Sequence, residues 1–220
     1  MTADATLPAD QSRAAARRAQ ILDAAAQCFR AHGFHGASIA RISQLAGMST
    51  GHIYHYFENK EAIIAAIVER DLEQLLMISA EMRASSDIIE AMIECVAVGV
   101  IDNLDADTAA LKLEIVAEAA RNPEVSRVVH AADCCCVASL VETLRIARRA
   151  GGQHDDDAQL TAMTEVLGAI FDGLAIRAIR NPDLDRQQVV AMVEHVVRSV
   201  IADPHWGTEE RLREAAPQAV

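Results

Sequence analysis

Apolar residues in this chain recur at every third or fourth position, which is the spacing of helices that bury one face. No block rich in β-forming residues interrupts this pattern. The pattern therefore predicts an all-α protein of about nine helices. The first helix spans about Ser12 to His32, and Gly33 ends it. Its apolar stripe is formed by Ile21, Leu22, Ala25, Cys28 and Phe29.

Turn-forming residues set the ends of the other helices. The residue before a proline is biased away from helical geometry, and paired glycines interrupt the apolar spacing. Asn122-Pro123 and Gly151-Gly152 are such breaks, while Asp87 and Glu90 have the spacing of a capping box. The predicted spans are 12–32, two short helices on either side of Gly47, Asn59 to about residue 84, Asp87 to about Leu104, 108–121, 124–150, 156–180 and 185–202.

The segment from Ser38 to Phe57 has the pattern of two short helices around a turn. Ser38 and Ser49 are suitable N-caps, and Gly47 supplies the backbone freedom that the turn requires. Ile53 and Phe57, four residues apart, give the second helix an apolar edge for packing. The residues left for its other faces are Thr50, Gly51, His52, Tyr54, His55 and Tyr56. Small polar and aromatic side chains on such a helix are typical of a probe for the DNA major groove.

The same segment closely resembles the recognition helix of TetR-family regulators. The letters GMSTGHIYHYFENKEAII match the family pattern Ser-x-Gly-x-Ile/Leu-Tyr-x-His/Tyr-Phe-x-Asn/Ser-Lys-Glu, and ILDAAAQCFRAHGFHGAS extends the likeness to the first helix. This resemblance covers residues 13–68. Further on, LEIVAEAARNPEVSRVV and DGLAIRAIRNPDLDRQQVV are similar to the effector domains of the BetI-like or AcrR-like branch. Ala40 and Thr50 stand where many relatives carry a basic residue, so the likeness does not supply an operator sequence.

The resemblance implies an N-terminal three-helix helix-turn-helix DNA-binding domain and a C-terminal helical-bundle domain for effector binding and dimerisation. The corresponding boundaries are a flexible arm at 1–11, the DNA-binding domain at 12–58, the ligand-binding and dimerisation domain at 59–203, and a tail at 204–220. The implied function is that of a ligand-responsive repressor. It binds a palindromic operator on double-stranded DNA as a homodimer and is released by a small-molecule effector.

Two other classes of protein stay open. One is a helical sensor or interaction protein whose DNA-binding domain is vestigial, and the other is an all-helical enzyme. The sequence contains no catalytic triad, nucleotide-binding loop or paired-carboxylate motif, which disfavours the enzyme and leaves no cofactor to predict.

The recognition helix offers two kinds of DNA contact. The hydroxyls of Tyr54 and Tyr56 reach phosphate oxygens, and Lys60 adds a charge beside a helix N-terminus. The methyl group of Thr50 suits a thymine methyl, and His52 suits the polar edge of a base. The predicted DNA-binding set is Arg41, Ser49, Thr50, Gly51, His52, Tyr54, His55, Tyr56 and Lys60, with Arg13, Arg17 and Arg18 as candidates for a flanking phosphate or the minor groove. The alternative for each is an ordinary surface residue.

The charge distribution suits a DNA-binding end on an acidic protein. The net charge is −12, but residues 1–60 carry +2 and residues 61–220 carry −14. The positive end can approach phosphates while the remainder is repelled, which orients the encounter. The N-terminal residues lack the apolar core of a signal peptide, and no window holds eighteen uninterrupted apolar residues. A cytoplasmic protein without membrane contact is therefore expected.

The last two helices carry more apolar surface than one packing contact uses. This surface predicts two neighbours, which are the core of the same chain and the same helix pair of a second copy. Full burial within one chain is the alternative. The predicted dimer interface comprises Leu167, Phe171, Leu174, Val189, Val193, Val196, Val197 and Val200.

An effector pocket is expected among the helices between Asp87 and Arg180. Its predicted lining consists of small, flexible or polar residues on otherwise apolar helices, namely Met92, Cys95, Glu114, Glu118, Cys135 and Phe171. Core packing is the alternative for the apolar four. A solvated surface is the alternative for the two glutamates, which would select a cationic ligand if they turned inward.

The run of three cysteines does not predict a metal site. Cys134, Cys135 and Cys136 point about 100° apart on a helix, so they do not converge on one ion. Core packing is predicted for them, with thiol sensing as the alternative. His154 and the three aspartates that follow are predicted to cap the next helix, and Trp206 is predicted to pack in the tail.

Overall fold

The structure is a computed structural model that describes residues 9–204. Regular structure within that range consists of nine helices, which confirms the predicted all-α fold. The helices are α1 (Ala9–Gly36), α2 (Ile39–Leu45), α3 (Thr50–Tyr56), α4 (Lys60–Ala84), α5 (Ile88–Asn103), α6 (Ala106–Ala119), α7 (Pro123–Ala150), α8 (Asp157–Arg180) and α9 (Arg186–Ala202). None of the helices in the described range is long and apolar enough to span a bilayer. Trp206 and most of the predicted arm and tail lie outside that range.

The chain divides into two compact units. The N-terminal unit comprises the residues up to Arg70 together with Glu114–Val129, and the C-terminal unit comprises Asp71–Leu113 together with the residues from His130 onward. Three helices, α4, α6 and α7, therefore each contribute residues to both units. The chain passes from one unit to the other after residues 70, 113 and 129, whereas the sequence predicted a single boundary after residue 58.

Local signals place the ends of the first three helices. Ser38 Oγ accepts a hydrogen bond from the Arg41 N–H, and Ser49 Oγ accepts one from the His52 N–H, each at 3.2 Å. Both predicted N-caps are confirmed. Gly33 interrupts α1 with a φ of 67°, a left-handed conformation that favours glycine, but the helix resumes and ends three residues later.

The predicted capping box at Asp87 is only half formed. Asp87 accepts the N–H of Glu90 at 3.0 Å, whereas the Glu90 carboxylate pairs with Arg198 at 3.1 Å. A complete capping box occurs instead at the start of α8, where Asp156 and Gln159 bond each other's backbone N–H groups. The aspartates after His154 thus cap a helix, as predicted.

Each unit has its own apolar core. In the N-terminal unit the predicted stripe of α1 is almost completely buried, at no more than 2% exposed for each residue. In the C-terminal unit α5 packs against α8 and α9. The buried residues of that core include Ile93, Val96, Val100, Leu144, Leu160, Met163, Leu174, Val193, Val197, Val200 and Ile201.

A completely buried arginine fixes the end of α9. The Arg148 guanidinium forms two bonds with Asp155, at 2.5 and 2.7 Å, and also donates to the backbone carbonyls of Val200, Ile201 and Asp203. Val200 and Ile201 belong to the last turn of α9 and Asp203 is its C-cap, and backbone acceptors at a helix end lack helical partners. Arg148 therefore ties α9 to the loop between α7 and α8.

Half of the predicted dimer interface belongs to the core of its own chain. Leu174, Val193, Val197 and Val200 are between 1% and 7% exposed, so they are not available to a second copy. Phe171 also faces inward, because a Cβ on Gly99 would lie 3.1 Å from its ring. The three remaining predicted residues, Leu167, Val189 and Val196, are half-buried against the core. The apolar residues that α8 and α9 leave exposed are Val166, Ile176, Ile179 and Met192.

The cysteine run is only partly buried. Cys134 and Cys135 are exposed and Cys136 is half-buried, so core packing is wrong for the first two. Burial, with Asp133 and Asp172 nearby, raises the pKa of Cys136 to about 11. The part of the chain that the structure describes holds no group of three metal-ligating side chains.

Candidate nucleic-acid interface

Helix α3 separates its apolar edge from its polar surface. Ile53 is fully buried and Phe57 is 4% exposed, so these two residues anchor the helix as predicted. Tyr54 is 56% exposed and Tyr56 is half-buried. The other predicted base-contacting or phosphate-contacting residues on and just before α3 are all exposed, namely Ser49, Thr50, Gly51, His52 and His55. The helix therefore presents a polar and aromatic surface outward.

Three rings on this surface support one another. The His52 and Tyr56 ring centroids are 5.4 Å apart, and the His55 and Tyr56 centroids are 5.3 Å apart. These are ordinary distances for interacting aromatic rings. The contacts favour side-chain rotamers in which the three rings lie together on the outward surface of α3.

The N-terminal part of α1 positions the helix-turn-helix segment. Gln20 donates to the Ala46 carbonyl at 2.8 Å, which joins α1 to the turn between α2 and α3. The Arg18 guanidinium lies 5.2 Å from the centre of the Phe57 ring. Arg17 bonds Gln20 at 3.0 Å. Two of the arginines predicted as candidates for flanking DNA contact thus already have partners within the chain, while Arg41 is exposed on α2.

Comparison with known proteins identifies the family. A family model described as bacterial regulatory proteins of the tetR family matches residues 21–67. A second model, described as the C-terminal part of BetI-type transcriptional repressors, matches residues 89–202. This chain belongs to the TetR family.

Individual relatives agree with the family models. An HTH-type transcriptional repressor from Mycobacterium tuberculosis is 31% identical over 84% of this chain and 94% of its own length. The HTH-type transcriptional regulator UidR of Escherichia coli is 32% identical over 71% of this chain and 78% of its own. The TetR-family chain is therefore a DNA-binding transcriptional regulator and not an enzyme.

Solved structures share the fold. Salmonella enterica GusR superposes with a TM-score of 0.69 at 28% identity, covering 84% of this chain and 95% of GusR. FadR from Bacillus subtilis, solved in complex with stearoyl-CoA, superposes with a TM-score of 0.68 at 19% identity, covering 84% of this chain and 98% of FadR.

Lys60 has a structural role in this TetR-family chain. Its ammonium donates to the carbonyls of Phe34 and Ala37, at 2.7 and 2.9 Å, and lies 4.4 Å from the centre of the Phe34 ring. These contacts use the charge that was predicted to meet a phosphate. They do not favour Lys60 as a DNA contact, and sequence alone gave no sign of them because the partners are backbone atoms more than twenty residues away.

Glu114 completes the same arrangement. The break at Gly33 leaves the Phe34 N–H without a helical acceptor, and Glu114 Oε1 accepts it at 2.5 Å. A Cβ at position 33 would lie 3.2 Å from this carboxylate, so glycine also makes room for it. The peptide groups of Phe34 are thus bonded on one side by Glu114 and on the other by Lys60.

Glu118 is buried in the N-terminal unit, with only 2% of its side chain exposed. Its carboxylate lies 3.2 Å from His35 Nε2, 3.4 Å from Arg121 Nη2 and 3.1 Å from Asn122 Nδ2. Glu114 and Glu118 therefore hold the end of α1, and this differs from their expected place in an effector pocket. Their one-turn spacing was visible in the sequence, but their partners were not.

The other predicted effector residues lie in the C-terminal unit. Met92 and Phe171 are half-buried against its core, Cys95 is half-buried on α5, and Cys135 is exposed on α7. An open groove of about 420 Å³ runs between α7 and α8 of this unit. None of these residues lines that groove.

Proposed function

We propose that this protein is a repressor that binds a palindromic operator as a homodimer and is released from it by a small-molecule effector. The outward surface of α3 is the observation that carries the proposal, because Thr50, Gly51 and His52 stand exposed at its leading end. Side chains in that position approach base edges when a helix enters the major groove. The repressor names of relatives that align over most of the chain support repression over activation.

The exposed residues of α3 divide into two roles. Thr50 and His52 read base edges, whereas the hydroxyls of Tyr54 and Tyr56 bond phosphates and fix the register of the helix. His55 lies between these groups on the ring cluster and supports both. Such a regulator acts where chromosomal DNA is, so the proposal places it in the cytoplasm.

Binding to DNA from upstream of its own gene tests the reading role. We expect His52→Ala and Tyr54→Ala each to weaken the shifted complex in a gel by about 1 to 3 kcal/mol, since each removes a direct contact. His154→Ala is the matched control, because His154 is exposed in the C-terminal unit. Loss of the complex in all three variants, or in none, would contradict the proposed surface.

The homodimer is supported by apolar side chains that α8 and α9 leave exposed. Ile176 is 43% exposed and Met192 is 65% exposed, with Val166 and Ile179 also on the surface of α8. A second copy presents the same residues, so an isologous contact buries each contributing side chain in both copies. Two recognition helices about 34 Å apart then reach successive turns of the same DNA groove.

Sedimentation of two surface variants tests this interface. We expect Ile176→Glu and Met192→Glu to yield folded monomers that no longer bind operator. Val98→Glu, at a position 67% exposed on α5, is the matched control and keeps the dimer. Dimers of unchanged affinity in both interface variants would place the contact elsewhere.

The C-terminal match and the fold support the proposed release by a small molecule. The C-terminal unit carries most of the BetI-type match. FadR, which shares the fold, was solved with stearoyl-CoA bound. These likenesses support effector binding by this fold and leave the effector of this chain to be found.

A further inference from the structure

A polar group lies in the C-terminal unit, between α4 and α7. Arg83 of α4 donates to the Ser139 carbonyl and the Ser139 hydroxyl of α7, each at 3.1 Å, and to Thr143 Oγ1 at 2.9 Å. Thr143 is completely buried, and Arg83 and Ser139 are half-buried. Ser79 stands one helical turn before Arg83, so the two side chains share one face of α4.

Two side chains of this group have hydrogen-bonding atoms without a partner in residues 9–204. Ser79 is completely buried, yet its hydroxyl has no hydrogen-bond partner among the described residues. All three bonds of Arg83 use Nη1, which leaves Nε and Nη2 without an acceptor in residues 9–204. A buried hydroxyl in a protein is almost always bonded, so the unpartnered Ser79 hydroxyl indicates that a further polar group binds here. Arg83 Nε and Nη2 are not buried, so they can donate to the same group.

The charge of Arg83 indicates what that acceptor is. Arg145, Arg148 and Arg198 of the same unit each pair with carboxylates. Arg83 instead bonds only neutral oxygens, and no carboxylate of residues 9–204 lies within ion-pair distance of it. A guanidinium edge formed by Nε and Nη2 matches a carboxylate or a phosphate, because both present two oxygens in one plane.

We propose that Arg83 and Ser79 bind the anionic head of the effector, a carboxylate or phosphate on an apolar body. Nε and Nη2 of Arg83 donate to two oxygens of the anion, and the Ser79 hydroxyl donates to one of them. The apolar body lies along Leu75 and Leu76, which precede Ser79 on the same face of α4 and are only half-buried. This site replaces the cation-binding role considered for Glu114 and Glu118, and its identity as the effector site rests on the function proposed above.

Calorimetry on the full chain without DNA tests the site. The probes are sodium octanoate, octyl phosphate and 1-octanol, which share one apolar body and differ in the head group. We expect octanoate or octyl phosphate to bind at least about tenfold more tightly than octanol, since only the anions use the charge-assisted bonds. The anion that binds more tightly indicates whether the head group is a carboxylate or a phosphate. Equal binding of all three, or no binding of either anion, would overturn the proposal.

Two variants separate anion binding from a structural role. Ser79→Ala is expected to weaken anion binding about threefold or more while leaving the melting temperature of the free protein unchanged or higher, because the hydroxyl has no partner to lose. A lower melting temperature in this variant would show that the hydroxyl is bonded within the chain. Arg83→Gln is expected to remove the preference for anions over octanol. Arg145→Gln, which removes an arginine of α7 that is already paired with Glu142 and Asp157, is the matched control.

The variants test anion binding by Arg83 and Ser79 separately from the release of operator DNA. If Arg83→Gln does not fold, anion affinity is measured in Arg83→Lys and Ser79→Ala instead. Unchanged affinity in both variants would overturn the proposal. An equal loss in Arg145→Gln would also overturn it, because the effect would then be one of net charge. Anion binding that survives these controls but does not release operator DNA in a gel would support the site and contradict effector release.

Discussion

Replacement of Lys60 by alanine distinguishes two roles for the residue. A phosphate contact would affect DNA binding alone, whereas a bond to the carbonyls of Phe34 and Ala37 stabilises the N-terminal unit. We therefore expect Lys60→Ala to lower the stability of that unit before any DNA is present.

The size of the effect follows from the contacts. A hydrogen bond to a charged group contributes about 1.5 to 3 kcal/mol, and water compensates part of the loss at a half-buried site. Two such bonds and the contact with the Phe34 ring give an expected loss of about 2 to 4 kcal/mol. For a chain of this size, this corresponds to a decrease of about 4 to 16 °C in the melting temperature.

Thermal unfolding followed by circular dichroism or calorimetry measures this difference. Arg149→Ala is the matched control, because Arg149 is a cationic residue exposed at the end of α7 in the C-terminal unit. A change of less than about 1 kcal/mol is expected there. If Lys60→Ala has the melting temperature of the wild type but binds operator more weakly and with a smaller salt dependence, Lys60 is a phosphate contact. That result would refute the structural role.

Two further experiments test the C-terminal unit. Arg148→Met leaves Asp155 buried without its partner, so we expect the free energy of unfolding by denaturant to fall by about 3 to 5 kcal/mol. Adding Asp155→Leu should restore part of this loss, and a loss below about 1 kcal/mol in the single variant would show that the buried pair is not needed. In iodoacetamide labelling at pH 8 mapped by mass spectrometry, Cys134 and Cys135 should react first, because a pKa of about 11 keeps Cys136 as a thiol until the solution is strongly alkaline. Labelling of all three at one rate would contradict this order.

The sequence predicted most of the fold because helix signals are local. Apolar spacing, the caps at Ser38 and Ser49 and the breaks near prolines act within a few residues, and the helices start and end close to the predicted positions. The outward surface of α3 was predictable for the same reason, since Ile53 and Phe57 fix which side is buried.

Contacts between distant segments were not predictable in this way. Glu114 and Phe34 are bonded across 80 residues, and nothing near either residue in the sequence points to the other. The apolar surface of α9 shows the same limit. Val193 and Met192 are neighbours of similar polarity, yet Val193 is 7% exposed and Met192 is 65% exposed, because packing against α5 selects one side of a broad stripe.

Selection of bound sequences from randomised double-stranded DNA tests the central claim that α3 reads an operator. We expect an inverted repeat with half-sites one turn apart for the wild type and a changed base preference at fixed positions for His52→Ala. We expect uniformly weaker binding with unchanged base preference for Tyr56→Phe. No enriched sequence for the wild type, or the same enriched sequence for His52→Ala, would contradict the claim.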